Sequence, residues 1–323
     1  MKLELTYSEL DFPWLPKSLN PLNVGNTPVV KLNSPHFKNK NIFVKLEEYN
    51  SGGNVKMRPA IAMVARAEWL GILKPFNGQT ILESSGGSMG VSLAIIGAMR
   101  GYKIKLVLPD NYNPDRIRQL PIYGAEVLLS DHTTGNDSHF RLAKQIASEN
   151  PNHYYIDQLS NPANPEIHYL TTGNEIVKQL PEIDYFVCGI GSGGSITGIG
   201  RRIKEVYPNA KIIAVQPKGC DVLKGTAIVH KIQGWAAGVI PSILDSSLID
   251  DVLDITYEES MQLGCDLVKN EGLFVGISSC ANILAADMLT KKVGNNKRII
   301  TLAPDSGHIY LSHYLNIKNT NHD

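Results

Sequence analysis

Short β-branched runs, separated by helix-length amphipathic stretches, constrain this chain more than any other feature. The runs fall at 41–45, 80–83, 104–108, 126–129, 185–188, 211–215 and 298–302. Several are apolar on both faces, as strands buried between two helix layers must be. Helical patterns at 90–99 and 140–148 lie between them, and Gly101 stands where the first helix should stop. This rhythm predicts an α/β fold with mostly parallel sheets covered by helices. With 323 residues, the chain has room for two domains or one large α/β unit. It contains no repeat, low-complexity segment or obvious linker, so two domains would be interwoven rather than strung in series.

Charge narrows the choice of partner. Lys plus Arg and Asp plus Glu both number 31, giving a formal net charge of zero. No basic excess draws the chain to nucleic acid or an anionic membrane, and a small-molecule partner is expected. Met1 to Leu5 show no signal-peptide pattern, and no apolar run is long enough to span a bilayer. Cys188, Cys220, Cys265 and Cys280 form no CxxC pair and no metal-type spacing with histidine. Free thiols in a reducing cytoplasm, with no bound metal, are the expectation. The polar tail Lys318 to Asp323 is expected to fray.

In such folds, chemistry gathers in loops beyond the carboxyl ends of strands. Three glycine-rich loops stand there, at Gly52-Gly53, Gly86-Gly87 and Gly189 to Gly194, and Pro304-Asp305-Ser306-Gly307 follows the 298–302 run. Gly189-Ile190-Gly191-Ser192-Gly193-Gly194-Ser195 is a good phosphate cradle. Glycines let the backbone approach an anion, N–H groups at the helix start point at it, and Ser192 and Ser195 add hydroxyls. The segment lacks the Gly-Lys-Ser/Thr ending of a nucleotide loop. Its GxGxxG match predicts no dinucleotide, because the next run ends Val215-Gln216-Pro217 without the acid that would hold a ribose. Lys56, by itself, reads as an ordinary surface lysine.

Taken together, these motifs resemble the cysteine synthase and cystathionine β-synthase family, the fold-type II enzymes dependent on pyridoxal 5′-phosphate (PLP). Asn50-Ser51-Gly52-Gly53-Asn54-Val55-Lys56-Met57-Arg58 is similar to the family lysine motif Asn-Pro-x-x-Ser-x-Lys-Asp-Arg. Glu83 to Gly90 stands where the family carries its Thr-Ser-Gly-Asn-Thr-Gly substrate loop. Val24 to Val30, Asp157 to Pro165, Thr171 to Glu175, Glu271 to Ser279 and Pro304 to Gly307 extend the likeness along nearly the whole chain.

The resemblance implies two interwoven three-layer α/β/α domains, a large one of residues 1–46 plus 160–323 and a smaller mobile one of 47–159. It implies that Lys56 holds PLP as a Schiff base and moves the Cα proton. Gly191, Ser192, Gly193, Gly194 and Ser195 would hold the phosphate, Ser306 the pyridine nitrogen and Ser88 the ring oxygen. Ser85, Gly86, Gly87, Met89 and Gln158 would surround the substrate carboxylate, with Trp235 near the second substrate. The implied reaction is β-replacement on an activated serine or on cysteine through an α-aminoacrylate, in a cytoplasmic homodimer acting on small amino acids. The chain is also expected to lack the haem segment and regulatory module of animal cystathionine β-synthases.

Departures cluster in the site. Met57 replaces an aspartate, Ser51 a proline and Asn54 a serine. Gly86 and Met89 each remove a hydroxyl from the substrate loop, and Ser88 is shorter than asparagine. A lost neutral hydrogen bond costs about 1 kcal/mol. Gly234-Trp235-Ala236-Ala237-Gly238 replaces Gly-Ile-Gly-Ala-Gly, so Trp235 either reshapes the pocket or packs in the core. These changes suggest a member specialised for a non-standard β-substituted alanine. Alternatives are a β-eliminating lyase or deaminase on the same scaffold and a degenerate PLP-binding scaffold or regulator.

Overall fold

All seven runs are strands in the computed structural model, which describes residues 13–14, 23–112, 114–135 and 137–317. The readings for Met1 to Leu5 and for the Lys318 to Asp323 tail lie outside the described residues. In chain order the elements are β1 (Val29–Lys31), β2 (Asn41–Leu46), α1 (Met57–Trp69), β3 (Thr80–Glu83), α2 (Ser88–Arg100), β4 (Lys103–Pro109) and α3 (Pro114–Gln119). Next come β5 (Glu126–Ser130), α4 (Ser138–Glu149), β6 (His153–Tyr155), α5 (Ala163–Ile167) and α6 (Asn174–Gln179). The remainder are β7 (Tyr185–Gly189), α7 (Gly194–Val206), β8 (Lys211–Pro217), β9 (Asp251–Ile255), α8 (Tyr257–Glu271), α9 (Ile277–Val293), β10 (Arg298–Ala303) and α10 (Leu311–Leu315).

The strands form two sheets. Six pair in the order β1-β2-β10-β7-β8-β9 and four in the order β5-β4-β3-β6. Every pairing is parallel except β1 with β2, as the rhythm of the sequence predicts. Because side chains alternate across a strand, each sheet feeds two cores. Val187 faces α8 and α9 with Met261, Ile277 and Ala281, while Phe186 and Cys188 face α6 and α7 with Ile176, Ile199 and Ile203. In the smaller sheet, Ile81 packs with Met63 of α1 and Leu93 of α2, and Leu82 packs with Ala143 of α4. Both sheets are therefore the middle of a helix–sheet–helix sandwich.

Helix ends follow local chemistry. Gly101 closes α2 in the left-handed region, with φ of 71° and its N–H donated to the Gly97 carbonyl. Thr256 caps α8 by accepting from the Glu259 N–H. Parallel pairing brings the carboxyl ends of β2, β7 and β10 to one edge of the larger sheet. The 47–56, 190–193 and 304–307 loops leave from that edge.

Candidate active site

The lysine loop is stitched to the large sheet before its side chain is considered. The Val55 N–H donates to the Pro304 carbonyl at 2.8 Å, and Asn54 forms a bridge with Asp305. The Asn54 carboxamide oxygen accepts from the Lys56 N–H at 2.9 Å and from the Ser92 hydroxyl of α2 at 3.1 Å. The asparagine that departs from the family motif thus ties the lysine loop to the helix behind the substrate loop.

Below it lies a buried ionic cluster. Arg58, fully buried, donates to both Glu47 oxygens at 2.7 and 2.8 Å and to both Glu175 oxygens at 2.6 and 2.8 Å. Lys45 pairs with Glu175 at 2.7 Å. Burial opposes the charge on Glu175, but Arg58 and Lys45 hold its carboxyl down at about 2. Burial likewise opposes the Arg58 charge, and the two carboxylates more than offset it, holding the guanidinium above its ordinary value. The cluster fixes the first turn of α1, and hence Lys56, against β2 and α6.

The Lys56 amine points into a cavity of about 350 Å3 and donates to the Ser192 hydroxyl at 3.2 Å. Burial lowers its pKa to about 8, against the opposing pull of Cys188 and Glu83. A larger share of the amine is therefore neutral and nucleophilic near pH 7 than for a surface lysine. Cys188 also lines the cavity, and burial pushes its thiol up to about 12. All four cysteines are unpaired thiols.

The glycine loop fits a phosphate. Gly193 adopts φ of +82°, and a Cβ on Gly191 would lie 2.2 Å from the Gly234 carbonyl oxygen. A Cβ on Gly194 would lie 2.0 Å from the Asn164 side-chain oxygen. The loop is thus drawn in so closely that only glycine fits, and the thirteen-residue α7 opens its N–H groups onto the cavity. His168 holds Ser195 through Nε2 at 3.1 Å and meets Thr172 through Nδ1 at 3.0 Å. Its burial drives the imidazole well below its usual pKa, so it stays neutral. A buried low-pKa lysine facing a phosphate cradle is the donor set that PLP requires.

Of the residues singled out in the sequence, Lys56, Ser88, Gly191, Ser192, Gly193 and Ser195 line this cavity. So do Ser85, Gly86, Gly87, Met89, Gln158 and Trp235. Gly194 and Ser306 do not. Gly194 is the first residue of α7, packed against Asn164. The Ser306 hydroxyl bonds His308 Nδ1 at 2.7 Å, while its neighbours Pro304 and Asp305 reach the wall. Trp235 packs in the core and also lines the cavity. It is 7% exposed, and its ring covers Gly189, where a Cβ would lie 1.9 Å away.

Three contributors escaped the sequence reading. Asn282 accepts from the Gly189 N–H at 2.8 Å and donates to the Leu302 carbonyl at 3.0 Å, joining β7 to β10 beneath the cavity. Tyr112 and His139 line the same cavity. Only tertiary folding brings them near Lys56, and no spacing rule marks them. Glu83 carried a signal, a lone carboxylate ending an otherwise uncharged and wholly buried strand.

Known proteins resemble this chain over most of its length. A family model described as pyridoxal-phosphate dependent enzyme matches residues 21–305. A cysteine synthase of Staphylococcus aureus is 39% identical over 295 residues, 90% of this chain and 94% of that protein. Among solved structures, an O-ureido-L-serine synthase superposes with a TM-score of 0.87 at 32% identity, over 96% of this chain and 98% of that one. A hydrogen sulfide-producing enzyme from Fusobacterium nucleatum gives 0.84 at 36% identity, over 92% and 100%. Fold, lysine, cradle and kinship together make this chain a member of the PLP-dependent enzyme family, of the cysteine synthase type.

Proposed function

We propose that the enzyme carries out β-replacement on O-acetyl-L-serine, O-phospho-L-serine or cysteine, releasing a β-substituted alanine. The observation that carries this reading is one cavity shared by the Lys56 amine, the glycine cradle and the 85–89 loop. Its relatives named for cysteine synthesis and O-ureido-L-serine synthesis support it. PLP, when bound, supplies an electron sink for the pair left on Cα.

The chain does the rest. Lys56 takes the Cα proton and later returns it. Gly191 to Ser195 anchor the phosphate. Ser85 to Met89 and Gln158 receive the substrate carboxylate through backbone N–H and side-chain donors, and Ser88 meets the ring oxygen. Ser306 must release His308 to reach a ring nitrogen. Residues 47–159 act as the smaller domain, whose closure excludes water, and residues 1–46 plus 160–323 as the larger one. Trp235 bounds the space for the incoming nucleophile. A cytoplasmic homodimer completes the proposal; among the described residues no helix is long and apolar enough to cross a membrane.

Elimination is the second reading, favoured by the neighbour named for hydrogen sulfide production. It differs only in that water, rather than a second substrate, meets the unsaturated product. The test is the visible spectrum of the holoenzyme during addition of O-acetyl-L-serine, O-phospho-L-serine, L-serine and L-cysteine. Lys56→Ala should abolish the lysine-dependent band and cut turnover by about 10³-fold. A ligand-induced band that a nucleophile then bleaches supports replacement. Pyruvate and ammonia released at the same rate with or without a nucleophile would mean elimination. A band that none of the four ligands perturbs would mean that the 85–89 loop serves a different substrate or none.

A further inference from the structure

We infer that Glu83 is a positioning residue for the substrate carboxylate, acting through Gln158. When Glu83 carries a proton, it turns the Gln158 amide so that the NH2 group faces the cavity. The inference rests on the proposed role of Gln158 and the 85–89 loop in holding that carboxylate.

Glu83 ends β3 and is 1% exposed. It lies behind the cavity wall rather than in it, and it clamps two segments that form that wall. One oxygen accepts from the Ser84 N–H at 2.9 Å and the other from the Gln158 N–H at 3.1 Å. The Gln158 side chain lies near enough to this carboxyl to influence its charge, and it lines the cavity on its other side.

No Lys or Arg pairs with Glu83 among the described residues. Asp157 adds a like charge from the loop after β6. Tyr155 of β6 lies within reach of its field, and its hydroxyl bonds the Ser84 hydroxyl at 2.7 Å. Lys56 supplies a distant opposite charge. Burial is the largest influence and lifts the Glu83 carboxyl to about 7, against the N–H groups of Gln158 and Ser84.

The amide of Gln158 has one acceptor and one NH2 donor group. An ionised Glu83 only accepts, so it draws the NH2 towards itself and away from the cavity. A protonated Glu83 donates its O–H to the Gln158 oxygen, and the NH2 is released towards the ligand. A bound carboxylate also repels negative charge on Glu83. Both effects make substrate binding favour the protonated acid. Below pH 7 the proton is already present. Above it, binding must take up a proton, and the Kd should rise roughly tenfold per pH unit on that account.

The test is calorimetric titration of L-serine into the PLP-loaded enzyme from pH 6 to 8.5, in buffers of different ionisation enthalpy. The serine amine titrates identically in every variant, so differences between variants isolate Glu83. Wild type should take up close to one proton more per site at pH 8 than Glu83→Gln. That variant mimics the protonated acid and should bind at pH 8.5 about as wild type does at pH 6, apart from the amine contribution. Gln158→Met should bind more weakly, with a shallower pH dependence than wild type. If Glu83→Gln binds serine with undiminished proton uptake, or Gln158→Met keeps the wild-type slope, Glu83 does not act in this way. If serine and O-acetyl-L-serine fail to bind the loaded wild type at any pH, the carboxylate reading of the loop fails and the role of Glu83 with it.

Discussion

At the end of β7, the glycines press against fixed structure: Gly191 against the Gly234 backbone carbonyl and Gly194 against the buried Asn164. At the end of β3 the neighbours are side chains. A Cβ on Gly86 would lie 2.6 Å from Leu108 and 2.7 Å from Tyr112, while one on Gly87 would meet only the Tyr112 hydroxyl at 3.5 Å. After β7, one contact is a backbone carbonyl and the others are side chains packed against the loop, Asn164, Trp235 and Leu244. After β3, the contacts at Gly86 are the outer atoms of Leu108 and Tyr112, which can shift without moving a strand. Departures from the family pattern fall in both regions, at Ser51, Asn54 and Met57 in the lysine loop and at Gly86, Ser88 and Met89 in the loop after β3, while the glycines of 189–194 are retained.

Three substitutions would break or sharpen this contrast. The largest effect is expected from Arg58→Met, which leaves Glu47 and Glu175 buried without their partner. It should cost about 3–5 kcal/mol in urea unfolding; a loss below about 1 kcal/mol would mean that the cluster does not fix the lysine loop. Gly191→Ala should come next. Its methyl must displace the Gly234 carbonyl, at about 1–3 kcal/mol. Equilibrium dialysis should then show weaker PLP binding, about tenfold for each 1.4 kcal/mol; unchanged affinity would deny the cradle its rigidity. Gly86→Ser should be the mildest. The regained hydroxyl is worth about 1 kcal/mol but collides with Leu108 and Tyr112, so KM for O-acetyl-L-serine should change by less than about tenfold. A large fall in KM would show that the substrate side had simply lost a donor it could regain.

What the sequence made legible follows the same division. The seven strands foreseen include every interior strand of both sheets, because strands covered on both faces carry continuous apolar runs. The three that went unseen, β1, β6 and β9, are all edge strands. Two have only three residues, and β9 reads Asp251-Val252-Leu253-Asp254-Ile255, with both aspartates exposed. The cradle could be read from a local motif, since backbone geometry demands glycine, whereas Lys56 read as an ordinary surface lysine until the family resemblance singled it out. Tyr112, His139 and Asn282 could not be read, since their roles exist only once distant segments meet. Ser306 marks a further limit. Its motif locates the loop after β10, but its hydroxyl direction is set by His308, two residues on.

A serine at position 86 would meet the outer atoms of Leu108 and Tyr112, so it requires those side chains to shift and not a strand to move. Return of the family hydroxyl is therefore a graded step, and its size is set by what stands at positions 108 and 112. The effect of a change at one of these three positions depends on the other two.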